Sequence, residues 1–339
     1  MAPGCKEWFP AFAGSGVIGT DDGFHQRKRF FWQRWPGYSC SMNPINQFLT
    51  WPVGMIEVAA DAYAFIQPNG PEGNAGYSNA GLIVGPDYCV VIDTLATNSM
   101  HDAFMAAIRR VTTKPVGRVL LTHHHPDHVL GTHRFLPACV ISHHACRANI
   151  LADSNMAQRW AHKRAQFAPD LKGIPTVFPD LTFGDRISLH LGEREVDFFH
   201  PGVAHTTGDA AAYLPADKVL YAGDLFFNRV CPAAFAGSMT GWLAAIDQIL
   251  QMDVDTIVPG HGPVSDKSGL RLMGDYLQLI LDASREGFNA GCGAEDVAHG
   301  MALGDFGLWA DTEERLLEDV RRCFQQFQEE AQVSAASTA

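Results

Sequence analysis

Between residues 56 and 258 the apolar positions alternate with polar ones or run in short blocks, the pattern of strands, and a few stretches shift to helical spacing. Ile56–Val58 and Ala62–Ile66 read as a hairpin, and Leu82–Val84 with Cys89–Ile92 as a second pair around the turn Gly85-Pro86-Asp87. Phe104, Ile108 and Val111 mark one face of a helix through Arg110, with Asn98 or Ser99 placed to cap it. A strand at 118–122 follows, then a helix opened by Asp127 and a short strand at 140–142. Strand patterns recur from Thr182 to His200, at Ala210–Leu214 and at Val219–Ala222; Trp242–Leu250 is helical, and a last strand ends at Val258. Strands then helix, twice over, predict an α/β fold: an αββα sandwich of two mixed β-sheets face to face, with helices on the outer faces.

Three segments stand outside that core. Residues 68–77 are rich in Gly, Pro and Asn and form a loop between strands. Residues 152–180 set Trp160, Phe167 and Phe178 among charges, as in a partly helical lid, and Tyr77 and Phe226 are candidates to line a pocket. Residues 312–330 place Leu316, Leu317, Val320, Phe324 and Phe327 on one helical face; it either packs on the fold, the expected role, or meets a second copy in a homodimer.

Composition narrows the function. A formal charge of −12 over 339 residues excludes nucleic acid as an expected partner, since phosphates call for a basic surface. No run of 18 apolar residues is present, so no membrane span is expected. The first residues lack the apolar stretch of a secretion signal, and the eight cysteines show no C-x-x-C spacing. Free thiols in a reducing, cytoplasmic setting are therefore expected. Residues 1–50 mix Lys, Arg, aromatics and Gly without periodicity and read as an irregular extension, within which Met42 is a candidate natural start.

The chemistry lies in His123-His124-His125-Pro126-Asp127-His128, directly after the apolar strand. Alternation at a strand end sends His123 and His125 to the same side, with Asp127 and His128 following as the chain turns. Imidazole nitrogen and carboxylate oxygen are zinc donors, and zinc, iron and manganese all accept them. Further donors follow apolar runs elsewhere: His205 in Gly202-Val203-Ala204-His205-Thr206-Thr207-Gly208-Asp209, Asp224 after Ala222-Gly223, and His261 in Pro259-Gly260-His261-Gly262. Each has a glycine within three residues, which lets backbone approach an ion.

This set of strings resembles the metallo-β-lactamase superfamily over roughly residues 55–270. The resemblance implies that His123, His125 and His205 bind a first metal, that Asp127, His128 and His261 bind a second, and that Asp224 bridges them, as in glyoxalase II-like and lactonase-like members. True β-lactamases generally lack that aspartate, which argues against antibiotic hydrolysis. Asp93 matches the aspartate that ends an early strand and props the metal-binding loop, and Asp93 and Thr206 are expected to bond the outer imidazole N–H groups. The resemblance also implies that the 68–77 loop hangs over the metals. It divides the chain into the 1–50 extension, a catalytic domain over 51–270, and a helical segment over 271–339 packed on it.

The expected activity is that of a hydrolase with two Zn2+ per chain, iron or manganese being possible, in which a metal-bridging hydroxide cleaves a small thioester, ester or lactone. Asp127 and Asp224 orient that hydroxide. The alternatives are a phosphodiesterase or nuclease of the same fold, a mononuclear-iron enzyme like persulfide dioxygenases, and a metal-binding protein without turnover. His125 stands where flavodiiron-type members carry Glu, and no clear basic C-terminal patch is present for the carboxylates of glutathione. His133, His143, His144, His190 and His200 fit no ligand position.

Overall fold

The computed structural model describes residues 50–70 and 74–337. The 1–49 stretch, including Met42, lies outside the described residues.

Among the described residues, twelve strands form two sheets. The larger sheet runs in sequence order through β1 (Gly54–Ala59), β2 (Ala62–Ile66), β3 (Ala80–Val84), β4 (Cys89–Ile92), β5 (Val116–Leu121), β6 (Cys139–His143) and β7 (Leu181–Phe183). Its first four strands pair antiparallel and its last four parallel. The smaller sheet comprises β8 (Arg186–Leu191), β9 (Arg194–Phe199), β10 (Ala211–Leu214), β11 (Val219–Phe227) and β12 (Thr256–His261), antiparallel except for the β11–β12 pair. Helices α1 (Asn98–Val111), α2 (Pro126–Val129), α3 (His144–Ala152) and α4 (Met156–Lys163) belong to the half of the chain that builds the larger sheet. Helices α5 (Met239–Gln251), α6 (Lys267–Asn289), α7 (Ala294–Gly300) and α8 (Thr312–Ser337) follow in the other half.

Period-two alternation explains the layers. In β4 and β5, Val90, Ile92 and Leu120 point between the sheets, where they meet Val196, Phe198 and Tyr221 of the smaller sheet. Val91, Val119 and Leu121 point the other way, onto Phe104 and Ile108 of α1. In β11, Leu220 and Ala222 face outward to Trp242 of α5, Tyr276 of α6 and Val320 of α8. Two sheets with a core between them and a helical core outside each make the expected sandwich. Each side chain of the size of Leu or Phe buried this way contributes about 1.5–3 kcal/mol.

Several boundaries differ from the sequence expectation. The α1 cap is Thr97, whose extended backbone lets Oγ1 accept from Met100 N–H (3.4 Å). Ser99 is diverted instead to Asp170, its N–H lying 3.2 Å from both carboxylate oxygens. Strand β12 continues past Val258 through Pro259 to His261; Pro is tolerated because β12 is an edge strand. Phe226, a pocket candidate from sequence, is fully buried in the outer core instead.

The 152–180 segment is partly helical: Trp160 of α4 stacks on Phe167 of the following turn (5.3 Å), and Tyr77 packs edge-on against Phe167 (5.6 Å). In α8, Val320 and Phe327 are buried against α6 and the smaller sheet, with Leu316, Leu317 and Phe324 beside them. Among the described residues no helix is long and apolar enough to cross a membrane. Cys89, Cys139, Cys146, Cys231 and Cys323 are free thiols.

Candidate metal centre

Both sheets deliver donors to one point. β5 ends at Leu121, and the chain turns through Thr122 to His128 with Pro126 at the first position of α2, where its missing N–H costs nothing. His205 lies in the loop between β9 and β10, Asp224 within β11, and His261 at the end of β12. Their donor atoms form two groups, each within 4.8 Å: His123, His125, His205 and Asp224, and Asp127, His128 and His261. All seven donors singled out from the sequence are thus brought together.

The two oxygens of Asp224 face opposite groups. Oδ2 lies 3.5 Å from His123 Nε2 and 3.2 Å from His205 Nε2, and His125 Nδ1 lies 2.9 Å from His205 Nε2. Oδ1 lies 3.1 Å from His128 Nε2 and 3.6 Å from His261 Nε2, which is itself 3.4 Å from Asp127 Oδ2. Such a division lets one carboxylate serve both donor groups. His123 Nε2, His128 Nε2 and Asp224 Oδ1 are buried and make no directed hydrogen bond, close as the last two are. Buried polar atoms ordinarily find partners, so converging orphans of this donor chemistry fit a metal.

The outer nitrogens are held by neighbours. His128 Nδ1 lies 2.8 Å from Asp93 Oδ2, as Asp93 was expected to provide. Asp93 is locked in turn by the Thr122 N–H (2.8 Å) and hydroxyl (2.7 Å), and Thr122 Oγ1 also lies 3.0 Å from His123 Nδ1. His261 Nδ1 donates to Asn74 Oδ1 (2.7 Å). Asn79 ties the 74–79 loop to β12, accepting from Gln67 N–H and donating to the carbonyls of Pro259 and Gly262. Ser78 Oγ donates to the Asp127 carbonyl. Thr206 departs from expectation. Its hydroxyl and N–H both donate to Asp209 (2.6 and 2.8 Å), so it closes the loop carrying His205 rather than bonding an imidazole.

Asn74, Thr122 and Asp209 were not selected from the sequence. Thr122 stands directly before His123 and Asp209 closes the His205 string, so adjacency was the available signal. Asn74 carries none, because its contact spans 187 positions.

Rings and glycines shape the walls. His261 lies flat on Phe227 (4.9 Å, 2°), and His205 packs against Trp242 (5.0 Å). A Cβ on Gly260 would sit 2.0 Å from Asp224 Oδ1, so only glycine lets β12 pass this close to the shared carboxylate. Phe235, 55% exposed, lies 6.5 Å from the His125 ring and sets an exposed apolar side chain beside the donor groups. His143 and His144 lie apart: His143 stacks on His200 (4.0 Å), and His144 Nδ1 bonds the Phe183 carbonyl (3.2 Å).

For His123, His125, Asp127 and Asp224 the protein favours the charge state a metal requires, whereas on His128 a metal would have to displace a proton. Burial, reinforced by neighbouring imidazoles, holds His123 and His125 well below the usual histidine range. Burial acts the same way on His128, but Asp224 and Asp93 outweigh it and push that imidazole up. Burial raises Asp127 and Asp224 as well, yet the surrounding histidines prevail and keep both carboxyls below the ordinary range.

The comparisons with known proteins agree with this geometry. The family model described as the metallo-beta-lactamase superfamily matches residues 73–261. A linear primary-alkylsulfatase from Pseudomonas sp. is 21% identical over 66% of this chain and 49% of its own length. A hydroxyacylglutathione hydrolase from Rhodobacter capsulatus is 24% identical over 55% of this chain and 72% of its own. The solved structure of a sec-alkylsulfatase from Pseudomonas sp. superposes with a TM-score of 0.63 at 19% identity, over 81% of this chain and 50% of that one. The chain therefore spans about half the length of the alkylsulfatases it matches. With the sandwich, the two donor groups and a family match over more than half its length, the chain belongs to the metallo-beta-lactamase superfamily.

Proposed function

We propose that the protein is a dinuclear zinc hydrolase that cleaves a small thioester, ester or lactone. The observation that carries this reading is the division of Asp224, one oxygen to each donor group, which suits two ions sharing one carboxylate. When bound, the ions supply a nucleophile at neutral pH by lowering the pKa of water from 15.7 to about 7, and polarise the substrate carbonyl.

The chain's own residues do the rest. Asp127 and Asp224, kept ionised, accept hydrogen bonds from the attacking oxygen and fix its direction. Asp93 and Asn74 hold the outer nitrogens of His128 and His261, so that each Nε2 lone pair faces inward. Phe235, exposed beside His125, offers apolar contact to an acyl chain.

Sulfate esters are a second reading. It is favoured by the likeness in fold to the sec-alkylsulfatase, which spans 81% of the chain and so extends beyond residues 73–261. The test is elemental analysis of the purified protein, paired with hydrolysis of thioester, lactone, alkyl sulfate and phosphodiester panels. Two zinc per chain with acyl hydrolysis supports the proposal, and alkyl sulfate turnover alone moves it to the second reading. One iron per chain with oxygen uptake and no hydrolysis overturns both.

A further inference from the structure

Two buried residues of the C-terminal segment reach a metal-facing histidine by separate routes. The first is a chain of polar contacts. The His261 Nδ1–H donates to Asn74 Oδ1 (2.7 Å), the Asn74 backbone N–H donates to Asp311 Oδ1 (2.8 Å), and Asp311 Oδ2 pairs with Arg315 Nη2 (2.8 Å). The second is a stack. The Arg315 guanidinium lies 5.7 Å from the Phe227 ring centre, and His261 stacks parallel to that same ring at 4.9 Å. Arg315 is anchored by donating Nη1–H to the Cys231 carbonyl (2.5 Å). The backbone at Ala310 is stitched to the segment after β11 through Arg229 and Cys231 (3.1 and 2.8 Å). Asp311 adopts φ of 64°, a left-handed conformation that Asp tolerates better than bulkier residues.

A buried ion pair is a poor device for stability alone, because desolvation offsets much of its attraction. The side chains of Arg315 and Asp311 are only 5% and 2% exposed, so the pair bears that cost in full. Its geometry points to orientation instead. We propose that Asp311 and Arg315 are positioning residues for His261: through Asn74 and Phe227 they set its tautomer and ring plane, aiming Nε2 at Asp127 and Asp224. Both lie beyond the stretch matched by the family model. The inference rests on the dinuclear reading, yet it concerns metal affinity and not the substrate.

The test is titration of the metal-free full-length protein with zinc, against a competing chelator, for wild type, Asp311→Ala, Asp311→Asn and Asn74→Ala. Asp311→Ala and Asn74→Ala each weaken one of two zinc equivalents by roughly 10–100-fold and leave the other within about threefold. Asp311→Asn, which keeps an acceptor for the Asn74 N–H, recovers most of the loss. The Asp311→Ala/Asn74→Ala double variant is no weaker than the worse single one, because both act on one route. Unchanged affinities in Asp311→Ala, or equal weakening of both equivalents, overturns the proposal. Should Asp311→Ala fail to fold, Arg315→Lys keeps the charge and carries the same test: selective loss supports the proposal, and wild-type affinity at both equivalents overturns it. Fewer than two equivalents in the wild type defeats the dinuclear reading instead, so the two failures are distinct.

Discussion

Asp224 is 4% exposed and surrounded by four imidazoles, so its removal leaves several nitrogens facing one another without a shared acceptor. Asp224→Ala is expected to lower kcat by about 10²-fold or more and to release zinc, read by steady-state kinetics and metal analysis. Rates near wild type would remove the dinuclear mechanism. His144 makes the contrasting case, since its contact is the Phe183 carbonyl and not the donor groups. His144→Ala should leave kcat/KM within about threefold; an inactive, folded variant would mean that a catalytic contribution lies outside the seven donors. At this scale the donors themselves were legible, because a metal needs His and Asp in short strings and such strings show locally. Asn74 was not, because an amide in a glycine-rich loop looks the same whether it meets solvent or an imidazole 187 positions away.

Helix α8 shows how an element can be legible while its polar contacts are not. Its apolar stripe at Leu316, Val320, Phe324 and Phe327 is visible from spacing, and the helix does lie on α6 and the smaller sheet. Asp319, one position before Val320, is equally buried: it accepts from Ala234 N–H (2.9 Å) and from the Tyr276 hydroxyl (2.8 Å). Burial, only partly offset by Ala234 N–H, Tyr276 and Arg315, pushes its carboxyl up to about 7. A raised folded-state pKa contributes stability that is fully present below the unfolded value near 4 and lost as pH rises through about 7. Asp319→Asn, which does not titrate, should therefore gain on wild type between pH 4 and pH 7. A shift of about three units sets the upper bound at roughly 4 kcal/mol. Urea unfolding of both proteins across that range measures it; a difference independent of pH would show that Asp319 is ionised throughout. The α1 cap and the length of β12 escaped a local reading for a related reason: the Ser99–Asp170 contact and the pairing of Phe227 with His261 are both long-range.

In the whole molecule the donors are divided between the layers, with His123, His125, Asp127 and His128 after a strand of the larger sheet and His205, Asp224 and His261 on the smaller one. Bound ions would tie the sheets together in the folded state alone. Ligand at 1,000 times its dissociation constant stabilises by about 4 kcal/mol, which for a chain of this size corresponds to a Tm change of roughly 6 °C. Chelation should lower Tm by that order, as followed by calorimetry, and zinc should restore it. An unchanged Tm would mean that the layers hold together without the ions. The layered architecture was legible because sheet faces and outer helices each leave a periodicity; which strand ends meet across the seam leaves none.

The two-faced carboxylate of Asp224 has a consequence for how such a centre fills. A donor held in common makes the sites thermodynamically linked: an ion at the first fixes the carboxylate for the second, and its charge repels the newcomer. Whichever effect prevails, reciprocity requires each ion to alter the other's affinity by the same factor, so the occupancy reached depends on zinc concentration and not on which site was loaded first.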